Sequence, residues 1–296
     1  MSRLQTCGID GGVSTKEGKT VAPKRLVTIQ DISCLGKCSL TVALPIISAL
    51  GIECVAVPTA VLSTHTGGFT GFTFHDLTDE LSAIKDHWKT LGITFDAFYT
   101  GYMGSVRQTE IAAEFMEQFS NDDSIIIVDP AMADNGTLYA GLPADLPQGM
   151  KNLCARADVI IPNITEAALM LGIEYRKEHD KAYIDSLVEN LAGLGTKKII
   201  LTGVKYNPSE LGAVCFDSAT GERSYYGRNW IEGDFHGTGD VFASVCAGSL
   251  LNGLSMEDTV RRAVDFTVAC IEKTLDCPQD RRYGVNFESC LPLLMR

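Results

Sequence analysis

The chain has 296 residues, 45% of them hydrophobic and 21% charged, which is enough apolar content for a sizeable core. Lys and Arg number 25 against 37 Asp and Glu, a net charge of −12. So acidic a surface repels nucleic acid and anionic membrane alike, and no apolar run reaches the roughly 18 residues of a membrane span.

Residues 1–25 are polar and glycine-rich, without periodicity and without the apolar run of a signal peptide. They are expected to form a flexible extension ahead of one domain over 26–290. From Leu26 short β-rich runs alternate with segments of helical period. In chain order the pattern predicts a strand over 26–30, a helix over 39–50, a strand over 53–59 and a flexible polar loop over 59–72. A helix over 77–91, a strand over 96–101 and a helix over 105–119 follow, the last with Ser105 and Gln108 in capping-box spacing. Next come strands over 124–130 and 158–163, helices over 143–155, 165–171 and 180–193, and a strand over 198–203. An edge hairpin is expected over 212–217 and 222–228, then helices over 240–253 and 256–274. The strands are continuous apolar runs, as in a parallel sheet covered on both faces. The fold class is therefore α/β, a mainly parallel central sheet flanked by helices.

Ten cysteines include no CxxC pair. With several inside apolar segments, they read as reduced, packed thiols in a reducing compartment, the cytoplasm.

In such sheets ligands bind beyond the carboxyl ends of the strands. Asp31, Tyr102, Asp129 and Asn163 fall at those ends. Gly237, Thr238 and Gly239 open a helix with Asp240 in its first turn, which reads either as an anion site of free amides or as an ordinary turn. Asn163 and Glu166 have the spacing of a helix cap, and equally of a carboxylate that helps place Mg²⁺. Asp129 ends a strand and Asp134 lies in a short polar loop, His65 and Thr66 could bond a small polar ligand, and Lys205 could meet a phosphate or stay solvated.

GTGD (237–240), NxxE (163–166) and DPxM (129–132), together with STHTGGF, TGYMGS and the run IQDISCLGKCSLTVALPIISALGI, occur in this order over about 26–274. This combination resembles the ribokinase-like small-molecule kinases, and specifically the vitamin B6 kinases. STHTG and TGYMGS point most specifically to the B6 branch; GTGD and NxxE mark the superfamily. The resemblance implies a three-layer α/β/α fold and transfer of phosphate from ATP to the 5′-hydroxymethyl group of pyridoxal, pyridoxamine or pyridoxine. It makes Asp240 the catalytic base and the amides of Gly237, Thr238 and Gly239 the anion hole. Leu62, Thr66, Gly67 and Tyr102 would surround the pyridine ring. Asp129, Asn163, Glu166, Thr202, Gly203 and Lys205 would lie on the nucleotide side, with Asp134 and Glu166 toward Mg²⁺. A homodimer and a monovalent cation such as K⁺ are also implied. Two positions depart from the pattern. Asp31 stands where many relatives carry Ser, and would pair with a positive group on the vitamin. Ile161 stands where some carry Thr. Hydroxymethylpyrimidine kinase, and a noncatalytic protein that binds vitamer or nucleotide, are the alternatives.

Overall fold

The computed structural model describes residues 22–295. Most of the expected extension over 1–25 lies outside them; of its last residues, 22–24 are exposed and Arg25 opens the first strand.

The described elements are β1 (Arg25–Leu35), α1 (Leu40–Ala49), β2 (Glu53–Thr64), β3 (Phe74–Asp76), α2 (Thr78–Lys89), β4 (Phe95–Thr100) and α3 (Val106–Phe119). They continue with β5 (Ser120–Val128), β6 (Ala133–Asp134), β7 (Thr137–Leu138), α4 (Leu146–Cys154), β8 (Val159–Ile160), α5 (Ile164–Leu171) and α6 (Lys181–Ala192). Then follow β9 (Lys198–Val204), β10 (Glu210–Asp217), β11 (Arg223–Asn229), α7 (Thr238–Leu251) and α8 (Met256–Leu275). Nine strands form one sheet in the order β11-β10-β9-β8-β5-β4-β1-β2-β3. The six from β9 to β2 are mutually parallel, while at the edges β10 pairs antiparallel with both β9 and β11, and β3 antiparallel with β2.

Alternate strand residues feed opposite cores. Val27, Phe98, Val128, Ile160 and Ile199 pack with α2–α6 on one face. Leu26, Ala97, Tyr99, Ile127 and Ile200 pack with α1, α7 and α8 on the other. This is why each strand reads as an unbroken apolar run. The expected three layers are therefore present, and every expected helix is found within three residues of its predicted ends.

Three local expectations change. The polar run 59–72 is a strand as far as Thr64, where β2 continues alongside residues 32–35 of β1 and takes β3 on its other side. The β-branched Thr59, Val61 and Thr64 favour that extension over a loop. The strand over 158–163 shrinks to Val159–Ile160 with a single further bridge from Asn163 to Thr202. Finally, Ser105 accepts from the Gln108 amide at 3.3 Å, but the Gln108 side chain does not complete a capping box. It is fully buried and ties the Gly104 amide to the Thr59 carbonyl, Asp76 and Thr78, fastening α3 to β2 and α2.

Candidate active site

The sheet order reverses direction between β1 and β4, because β1 is followed by β2 on one side and β4 on the other. A crevice opens at such a switch point. Here it widens into a cleft of about 760 Å³ along the carboxyl ends of the parallel strands. Asp31, Leu62, Thr66, Gly67 and Tyr102 line one end of the strand row. Asp129, Asp134, Asn163, Glu166, Thr202 and Gly203 line it across β5, β8 and β9, with Gly237–Asp240 between. All the expected residues except Lys205 are thus gathered in one cavity. Lys205 does not line it; its Nζ sits 3.4 Å from the centroid of the Trp230 ring, which does.

The first turn of α7 sets the centre. Gly237 is the N-cap at φ 78°, a left-handed conformation that favours glycine, and a Cβ there would collide with the Lys37 carbonyl oxygen. No side chain caps this helix, so the first-turn amides keep their hydrogen-bonding capacity and the positive end of the helix dipole faces the cleft. At Gly239 a Cβ would meet no protein atom within 4 Å. That open space lets a ligand approach the backbone closely.

Asp240 follows one residue on. Burial pushes its carboxyl up to about 7; the Ser39 amide and the Cys38 thiol pull it back, and the Asp31 carboxylate pushes it further up. The sequence reading missed Cys38 and Ser39 altogether. Ser39 is 4% exposed and holds φ 51°, ψ −127°, a conformation costly for a side-chain-bearing residue. An adverse backbone angle at the head of α1 has no signature in composition or periodicity.

On the β5–β8 side, Asn163 and Glu166 form a complete capping box: Asn163 Oδ1 accepts from the Glu166 amide at 2.9 Å and Glu166 Oε2 from the Asn163 amide at 2.8 Å. Glu166 Oε1 also accepts from the Met132 amide at 3.1 Å. The capping and functional readings are therefore compatible, since the cap holds the carboxylate at the cleft. Asp129 and Glu166 are both buried, and burial raises both carboxyls, with Glu166 and Asp240 raising Asp129 further. Asp134 is exposed, and both its oxygens accept from Asn135. It closes a two-residue hairpin turn between β6 and β7, where Asn135 and Gly136 take φ 49° and 82°.

At the other end, burial pushes the Tyr102 phenol up to about 12, with Asp31 and Asp76 adding to it. His65, unassigned beyond possible ligand bonding, has both ring nitrogens engaged by the protein: Nε2 lies 2.6 Å from the Arg282 carbonyl and Nδ1 accepts from the Gly67 amide at 3.1 Å. It therefore shapes the loop that carries Thr66 and Gly67. The apolar face of α8 is shared between core and cleft. Val260, Ala263 and Val264 are buried, but Val264, Thr267, Val268 and Ile271 form cleft wall opposite Leu211 and Ala213 of β10.

A profile of the phosphomethylpyrimidine kinase family matches residues 43–283. The chain belongs to this family. Among its relatives, a pyridoxal kinase of Rubrobacter xylanophilus is 28% identical over 259 residues, covering 84% of this chain and 87% of that protein. A Bacteroides thetaiotaomicron protein assigned to the phosphomethylpyrimidine kinases and crystallised with pyridoxal is 35% identical, with a TM-score of 0.89 over 93% of this chain and 96% of its own. The pyridoxal kinase structure from Lactobacillus plantarum is 32% identical, with a TM-score of 0.86 over 93% and 97%. The family membership fits the cleft, which pairs an uncapped helix N-terminus with an adjacent carboxylate.

Proposed function

We infer that this phosphomethylpyrimidine kinase family member phosphorylates the 5′-hydroxymethyl group of B6 vitamers with ATP. The observation that carries the reading is Asp240 beside the uncapped first turn of α7, in one cleft with Leu62, Thr66, Gly67 and Tyr102. Relatives named pyridoxal kinase, and the 35% identical structure that holds pyridoxal, support this acceptor.

Asp240 takes the proton of the vitamer hydroxyl as its oxygen bonds the γ-phosphorus. The bond from that phosphorus to the bridging oxygen breaks, and ADP leaves. The amides of Gly237, Thr238 and Gly239 receive the negative charge of the transferred group, because phosphoryl transfer depends mainly on positioning and charge stabilisation. A carboxyl near 7 suits a base at neutral pH. The adenine ring fits the apolar slot between α8 and β10, with Thr202 and Gly203 along the phosphates.

Asp129 and Glu166 are buried carboxylates without an ion-pair partner among the described residues, a donor set that suits a divalent cation. No three His, Cys, Asp or Glu among the described residues cluster as a metal cage. Mg²⁺ would accordingly enter with the nucleotide, held by Glu166, Asn163 and Asp129 largely through water, with Asp134 at the rim. Bound there it supplies charge neutralisation at the phosphates. K⁺ stands apart: Ile161, 3% exposed, brings no side-chain oxygen, and turnover in KCl against NaCl measures whether the ion acts. The reading includes a cytoplasmic homodimer, which sedimentation and fractionation test. No helix among the described residues is long and apolar enough to cross a membrane.

The deciding assay is ADP release with Mg·ATP and pyridoxal, pyridoxamine, pyridoxine or hydroxymethylpyrimidine. Turnover of the vitamers, lost in Asp240→Ala, supports the reading; turnover of the pyrimidine alone overturns it.

A further inference from the structure

Asp31 is a buried carboxylate that the transfer step does not use. It lies in β1 just past Ile29, the last residue to pair with β4, opposite a place where β2 carries an extra residue: Gln30 pairs Pro58 and Ile32 pairs Val61. The strand thus loses one neighbour and bulges from the other at this residue, which lets the side chain line the cleft. Asp31 is only 4% exposed.

Its protein partners are hydroxyls. Ser33 Oγ donates to Oδ2 at 3.1 Å, and the neighbouring Ser39 side chain eases the effect of burial on the carboxyl. Among the described residues no Lys or Arg makes an ion pair with it, although thirteen ion-pair contacts are formed elsewhere. Leu62, Thr66, Gly67 and Tyr102 bring no cation to the ring-facing wall. A carboxylate held out of water without a counter-charge is costly, and its own cavity is where that charge can be supplied.

The hydroxyl that is phosphorylated belongs at Asp240, so Asp31 faces a different substituent of the substrate. An alkylammonium would give it a charge-assisted hydrogen bond. An alcohol would donate a hydrogen bond but bring no counter-charge, and an aldehyde only a lone pair against a lone pair. Building on the B6-kinase reading, we propose that Asp31 is a specificity residue that selects the vitamer with a protonated amine, pyridoxamine, over the aldehyde and the alcohol.

The test measures kcat/KM for the three vitamers, and the Kd of pyridoxamine without nucleotide, in wild type, Asp31→Asn and Asp31→Ser. Thermal melts confirm that each variant is folded, and two variants guard against one that is not. Pyridoxamine should lead in wild type and lose about 30-fold in kcat/KM in both variants, with a matching rise in Kd, while pyridoxal changes less than about 3-fold; charge-assisted bonds are of this strength. An equal loss for all three vitamers, or an unchanged ranking, overturns the assignment and leaves the kinase reading intact. Absence of ADP release with every vitamer in wild type overturns both.

Discussion

The Gly237 α-carbon is packed against the Lys37 carbonyl oxygen, so the entry to α1 and the entry to α7 share one close contact. Gly237→Ala must break that contact and adopt a left-handed angle with a side chain. We expect kcat to fall at least ~100-fold, the scale of losing one oxyanion-type donor, while the Kd of the vitamer changes little. Single-turnover kinetics alongside equilibrium binding separate the two; an alanine variant with wild-type kcat refutes the placement of the anion hole.

Asp240 governs the pH response. With its carboxyl near 7 and facing Asp31, Cys38 and the Ser39 amide, log kcat/KM should fall with unit slope below about pH 7 and level off above it. Asp240→Asn should remove this limb and lower turnover by ~10³. The same shift has a cost in stability. The folded state keeps a proton that an unfolded carboxyl, at 3.8, releases, so this group favours folding most below about pH 4 and ceases to do so as pH rises through 7. Asp240→Asn should therefore melt higher than wild type at pH 8. Melting curves at pH 5 and 8 check it: the gap between the proteins must widen at the higher pH.

Ser39 allows backbone strain to be measured directly. Ser39→Ala and Ser39→Gly lose the same hydroxyl, but only glycine relaxes φ 51°, ψ −127°. The glycine variant should be the more stable by ~1–3 kcal/mol, the usual cost of such a conformation. Equal denaturant midpoints for the two would mean the angle carries no strain.

His65 bridges two cleft segments only as a neutral ring, with Nε2–H donating to the Arg282 carbonyl and Nδ1 accepting from Gly67. Burial lowers its pKa, the Arg282 carbonyl opposes this, and the neighbouring His236 lowers it further. The stabilisation is present above the ordinary imidazole range and is lost as pH falls through the depressed value. Hydrogen exchange at Gly67 should accelerate on acidification, and His65→Ala should raise the vitamer KM by about tenfold with a smaller change in kcat, a loss on the scale of one or two hydrogen bonds. A Gly67 amide whose protection ignores both pH and the substitution would rule this out.

The sheet, its covering helices and the edge hairpin were legible because alternation of apolar runs and helical period is a repeated signal. The cleft residues were legible because strand ends and the GTGD and NxxE motifs name them. The departures come from physics that periodicity does not record. β2 outruns its apolar stretch because β1 and β3 supply partners for polar residues. The Asn135-Gly136 turn carries a strong local signal, and reading it would have placed Asp134 in a hairpin instead of an open loop. On α8 an apolar stripe of helical period is divided, with Val264, Thr267, Val268 and Ile271 bordering the cleft, since a wall for a flat ring and a wall for neighbouring side chains call for the same residues.

From Val241 to Leu251 every residue of α7 is buried, wedged among the sheet, α1 and α8. The helix whose first turn faces the cleft is therefore held on every side, while residues 65–73 form the rim across from it. On the kinase reading the labour is divided: an anchored piston head would do the chemistry, while the ends of β1 and β2 and the 65–73 rim would decide which alcohol is brought to it. Changing that wall is the route to a new acceptor that leaves the first turn of α7 untouched.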